Sequence, residues 1–199
     1  MNRIVFAVLE IIAAALFLIP IYLVLNRMWF RSLKKTFAYC IFSFYLVAVY
    51  SLVGMPCITY VRLDLGGNLM PIVGLIGDLK NSVLNVLLFV PLGFLLPLLW
   101  EKFRTWKQTV LFGFGLSLAI ELLQIFTMRA TDVNDLITNV CGTVLGYGMA
   151  EFLFRKVPAV QNILKFEKGN EVYLICGIVL VVMFFFQPFP AAYLWEVFH

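Results

Sequence analysis

Residues Ile4–Leu25 read IVFAVLEIIAAALFLIPIYLVL, 22 positions carrying one charged side chain, Glu10. A run this long and this apolar matches the roughly 20 residues that an α-helix needs to cross the hydrocarbon core of a bilayer. The flanks say which kind of span it is. Arg3 stands before it, and Arg27, Arg31, Lys34 and Lys35 follow it. A secretory signal carries its positive charge ahead of the apolar stretch, so this run is expected to be an uncleaved span whose C-terminal end stays in the cytoplasm.

The rest of the chain agrees. Of 199 residues, 63% are hydrophobic and 13% charged. A soluble domain is about 25% charged because its surface faces water. The expected fold is an all-α, polytopic transmembrane bundle forming one membrane domain over residues 1–199. Six spans are expected, at about Ile4–Leu25, Phe37–Gly54, Ser82–Trp100, Thr109–Thr127, Val133–Phe154 and Val172–Pro188. The loops after spans one, three and five hold 11 of the 15 basic residues. The other four are Arg3, Arg62, Lys80 and Arg129. This asymmetry places both termini outside and the basic loops on the anionic inner leaflet of the cell membrane. The net charge of +4 then needs no nucleic-acid partner.

Cys40, Cys57, Cys141 and Cys176 form no metal-binding pattern and read as packing residues. The single histidine, His199, rules against His-based catalytic or metal sites. The outer loop Met55–Lys80 is rich in Gly and Pro and only mildly polar. Its apolar stretch Leu69–Ile76 is too short to span, so it is expected to lie in the interface or dip into the bundle. Glu10, alone in span one, should face protein rather than lipid.

The informative residues are the polar ones inside apolar runs. Span three opens with Asp78, Asn81 and Asn85. Span four ends with Glu121 and Gln124, followed by Arg129. Span five opens with Asp132, Asp135 and Asn139, then Gly142 and Gly146. The spacings 3, 4, 3 and 4 put the last five on one helical stripe. Glu121 lies about 9 Å below the outer end of its span and Asn139 at a similar depth. Buried carboxylates and amides must meet one another or face a polar pocket. Asp132 and Asp135 also have a plain role as helix N-terminal groups. Gly142 and Gly146 suit close helix packing. Asp78-x-x-Asn81-x-x-x-Asn85 echoes Asp132-x-x-Asp135-x-x-x-Asn139, as a parallel repeat would.

Together these motifs resemble the VanZ-like family. They are Asn68-Leu-Met-Pro71, Asn81-x-x-x-Asn85, Pro91-Leu-Gly93, Glu121-x-x-Gln124, Arg129, Asp132-x-x-Asp135 and Asn139-x-x-Gly142-x-x-x-Gly146. The resemblance covers about Ser43–Phe154. It implies a membrane protein associated with low-level resistance to glycopeptides of the teicoplanin type. Two readings of the polar cluster follow. In the first, Asn81, Asn85, Glu121, Gln124, Arg129, Asp132, Asp135 and Asn139 bind the headgroup of a membrane lipid or lipid-linked cell-wall precursor, without a cofactor. In the second, the chain is an intramembrane enzyme acting on lipid-linked glycans or phospholipids. Its carboxylates would then serve as acid, base or ligands for a divalent cation. No nucleophile beside a base marks a catalytic group.

Overall fold

The computed structural model describes residues 3–63, 67–68, 79–127, 131–160 and 169–198. Seven α-helices of ten residues or more lie within them: α1 (Arg3–Leu25), α2 (Leu33–Val53), α3 (Leu79–Leu99), α4 (Trp106–Gln124), α5 (Val133–Lys156), α6 (Glu171–Val181) and α7 (Pro188–Phe198). The described residues also hold a parallel pair of two-residue strands, β1 (Gly67–Asn68) and β2 (Thr131–Asp132), and an isolated bridge between Cys57 and Tyr60. The chain divides into two compact units. One comprises Met1–Arg62 with Asn170–His199, the other Leu63–Gly169.

In the first unit, α1 and α2 form a hairpin. Its turn is closed by Asn26, whose Oδ1 accepts from the Ser32 N–H at 3.0 Å and the Thr36 hydroxyl at 2.9 Å. Ser32 caps α2 by accepting from the Lys35 N–H. Midway, the Tyr22 hydroxyl lies 2.5 Å from Ser43 Oγ. Ser43 itself donates to the Tyr39 carbonyl, which leaves Tyr22 as the donor. At the far end Gly54 takes φ +67° and ends α2, a left-handed geometry that glycine adopts at little cost.

The expected sixth span, Val172–Pro188, is helical, and the helix breaks at its end. A π-helical turn, Val182–Phe186, joins α6 to α7, and the two parts are bent by 54°. Pro188 and Pro190 explain the break, because neither has an N–H to offer the carbonyl four residues earlier. The carbonyl of Phe184 is satisfied instead by the Ile58 N–H at 3.0 Å.

In the second unit, α3, α4 and α5 pack together. A Cβ on Gly142 would strike the Val86 carbonyl, one on Gly146 the Val90 carbonyl, and one on Gly93 the Thr143 carbonyl. Both contact pairs advance together along the chain, so α3 and α5 run in the same direction, as the internal echo predicts. Small residues permit backbones to approach this closely.

Among the described residues four helices are long and apolar enough to cross a membrane, or five if the bent α6–α7 pair counts as one span. The expected fourth span, α4, is helical but is not among them. Lys107, Gln108, Glu121 and Gln124 at its ends dilute its apolar character. Its faces are nevertheless inverted relative to a helix in water. Thr109, Gly113, Ser117, Glu121 and Gln124 are buried along with one large apolar residue, Ile120, while Leu111, Phe114, Leu118 and Leu122 are exposed. Water-soluble proteins bury the second set and expose the first.

Candidate functional site

Polar contacts join the end of α4 to the start of α5. Glu121 sits near the C-terminal end of α4 and is 4% exposed. Its Oε2 accepts from the backbone N–H of Asp132 at 3.0 Å. Asp132 in turn caps α5, its Oδ1 accepting from the Asn134 N–H at 2.9 Å. This adopts the capping role expected of Asp132, and Asp135 falls in the first turn of α5, where a carboxylate suits the helix dipole. A buried carboxylate thus ties the end of one helix to the start of the next. Gln124 is also buried, and its backbone carbonyl accepts from the Thr127 hydroxyl at 2.9 Å.

One turn deeper, Asn139 on α5 donates from Nδ2 to Ser117 Oγ on α4 at 2.9 Å. Asn139 is 3% exposed. Its Oδ1 is buried with no hydrogen-bond partner among the described residues. Beneath it Thr143 donates to the Asn139 carbonyl. Gly113 makes room for Thr143, since a Cβ there would lie 2.5 Å from Thr143 Oγ1. The α4–α5 seam is therefore polar at its upper end and closely packed below.

On α3, Asn85 is half-buried and Asn81 exposed. The contacts of Val86 with Gly142 and Val90 with Gly146 place Asn85 and Asn139 level to within about a turn. Gly142 and Gly146 have the packing role expected of them. Arg129 and Asp78 lie outside the described residues. The backbone of Asn68 pairs with Asp132 across β1 and β2, at the entrance of α5; Pro71 lies outside the described residues. Among the described residues no three His, Cys, Asp or Glu side chains converge as a metal site.

Ser117, Asn134 and Thr143 were not among the candidate residues of the sequence. The signal for two of them was available. Ser117 lies four residues before Glu121, and Thr143 four after Asn139, so each shares a helical face with a named residue. Small hydroxyls in apolar runs are common, and only the facing helix identifies these two as contacts.

Residues 37–155 match the VanZ/LLP1 family. The chain is 31% identical over 111 residues to Protein VanZ of Enterococcus faecium, a match covering 54% of this chain and 62% of that protein. The matched region thus spans less than two thirds of its relative's length. No solved structure matches.

Proposed function

The chain belongs to the VanZ/LLP1 family, and from that premise we propose that it is a multi-pass protein of the cell membrane that lowers susceptibility to teicoplanin-type glycopeptides. It does so through the polar end of the α4–α5 seam, which binds the headgroup of a lipid or lipid-linked cell-wall precursor. The observation that carries this reading is the inverted α4. A helix with Leu111, Phe114, Leu118 and Leu122 outward and Glu121 buried belongs in lipid, where an embedded carboxylate ordinarily marks a site. Glycopeptides act outside the membrane, so a site in its outer half is on the side where their target is met. Asn139 adds an acceptor, Oδ1, that its surroundings leave open to a donor such as a sugar hydroxyl or an amine.

Expression of the chain in a teicoplanin-susceptible Gram-positive host is expected to raise the inhibitory concentration of the drug. Asn139→Leu should return it to the vector level while membrane abundance and melting temperature stay close to wild type. Removing an amide with an unmet acceptor costs little, and Ser117 can turn its hydroxyl to a carbonyl of its own helix. Full resistance in Asn139→Leu, or none in the wild type, would sink the proposal.

In this reading α4 spans the membrane too. That makes six crossings with both termini outside, and it sets the basic turns Arg27–Lys35 and Lys102–Lys107 in the cytoplasm. In a chain stripped of its native cysteines, Lys107→Cys should react with a membrane-impermeant maleimide after permeabilisation only. Thr59→Cys should react in intact cells. The reverse pattern would invert the topology.

A further inference from the structure

In the second unit, the end of α4 opposite Glu121 carries a basic surface. A 3₁₀ turn, Glu101–Arg104, links α3 to α4, and α5 ends at Lys156. Two contacts bring that turn and the end of α5 together. The Tyr147 hydroxyl on α5 donates to the Arg104 carbonyl at 2.8 Å. The Arg104 guanidinium lies over the Phe154 ring, 5.5 Å from its centroid. Lys102, Arg104, Lys107, Arg155 and Lys156 thereby gather at one end of one unit. The acids in the same two segments are Glu101 and Glu151, and Arg155 holds Glu151 at 3.3 Å. Positive charge is in clear surplus.

Next to the charges the surface turns apolar. Lys107 and Leu111 are four residues apart on α4, and so are Phe152 and Lys156 on α5. Each lysine therefore shares a helix face with an exposed apolar side chain. The Lys156 ammonium lies 5.8 Å from the centroid of the Phe152 ring, a contact that steadies it over that face. Four residues further along each helix stand Gly115 and Gly148, where an added Cβ would meet nothing within 4 Å. Both faces thus leave room for an alkyl chain to lie along the helix.

We infer that this end of the second unit holds an anionic phospholipid, a site that rests on α4 crossing the membrane as proposed above. Its phosphate sits among Arg104, Lys107 and Lys156, and its acyl chains run along the apolar faces. Charge complementarity selects an anion, and the apolar faces select one that carries alkyl chains. A soluble anion would meet only the first requirement. Basic pockets between helices at the cytoplasmic side hold such headgroups. The site is separate from the polar end of the α4–α5 seam. Lys107 and Glu121 are 14 residues apart on α4, about 21 Å along the helix.

The test uses the purified full-length chain in detergent, with native mass spectrometry following bound lipid as phosphatidylglycerol or phosphatidylcholine is titrated in. Phosphatidylglycerol should bind saturably and roughly tenfold or more tightly than phosphatidylcholine, a preference of two surface charges or so. Lys107→Gln combined with Lys156→Gln should weaken phosphatidylglycerol roughly 25-fold, about fivefold per charge, and leave phosphatidylcholine unchanged. Arg27→Gln combined with Lys34→Gln removes equal charge from the first unit and should bind as wild type. All four residues are exposed, so both variants should fold. Equal loss in the two would mean diffuse attraction to net charge and overturn the proposal. Equal binding of the two lipids, or displacement by glycerol 3-phosphate at similar concentration, would overturn it too. Asn139→Leu should keep the lipid, which separates this site from the one tied to resistance. Binding in detergent does not depend on which leaflet this end faces, so an inverted topology and an absent lipid site give different results.

Discussion

Replacing Gly146 by alanine is expected to destabilise the protein by about 2–3 kcal/mol, the range for overpacking a tight interface, while the same change at Gly148 does not. Both residues lie on α5, two positions apart, so the intrinsic helix preference for alanine, about 1 kcal/mol, favours both variants equally. The difference is the neighbour. A Cβ on Gly146 would lie upon the Val90 carbonyl, the Phe94 amide nitrogen and Gly93 Cα, all of them backbone atoms of α3. Backbone cannot rotate aside as a flexible side chain can. A Cβ on Gly148 meets nothing within 4 Å. Melting temperatures in detergent or nanodiscs decide the matter. Equal shifts in the two variants would mean that α3 and α5 do not meet along this stripe. Because Asn85 and Asn139 are brought level by the same contacts, Gly146→Ala should also lower resistance.

The second large effect is expected at Glu121, and two substitutions separate its roles. In Glu121→Leu the Asp132 N–H loses its acceptor, the start of α5 loses its tie to α4, and roughly 1–3 kcal/mol of stability goes with it. Membrane abundance should fall and resistance should vanish. Glu121→Gln keeps an oxygen that can accept the same N–H, so the turn should hold and abundance should remain near wild type. If the carboxylate charge meets a ligand, resistance should still be lost. Abundance measured by quantitative blotting beside the inhibitory concentration of teicoplanin gives the answer. Full resistance in Glu121→Gln at normal abundance would reduce Glu121 to a structural tie and remove it from the binding site.

Much of this was legible in the residues. The six apolar runs read as spans are all helical, because period and hydropathy are properties of a segment by itself. Of the expected stripe, Asp135, Asn139, Gly142 and Gly146 lie along α5, with Asp132 extended at its N-cap, and the two glycines do face a neighbouring backbone. The expectation that Glu10 faces protein holds as well. Other features were out of reach. The break at Gln187 lies at the end of the expected sixth span, where Pro188 and Pro190 stand, but a proline near a helix end does not give the angle of a bend or show that a helix resumes beyond it. Six crossings were expected where, among the described residues, four helices, or five, meet the requirement by length and composition. Hydropathy averages over a helix, whereas the case for α4 rests on which of its faces is covered.

The sequence by itself determined that this chain is an all-helical membrane protein of the VanZ/LLP1 family with polar groups at set heights along its helices. Those facts follow from local composition, spacing and motif order. Only the tertiary structure decided which of those groups meet. Glu121 holds the Asp132 N–H, Asn139 holds Ser117, and Glu10 faces Ser51 and Gln187. Such pairings depend on how each helix is rotated about its axis. That rotation is set by where small residues let two backbones touch, a property of two helices at once.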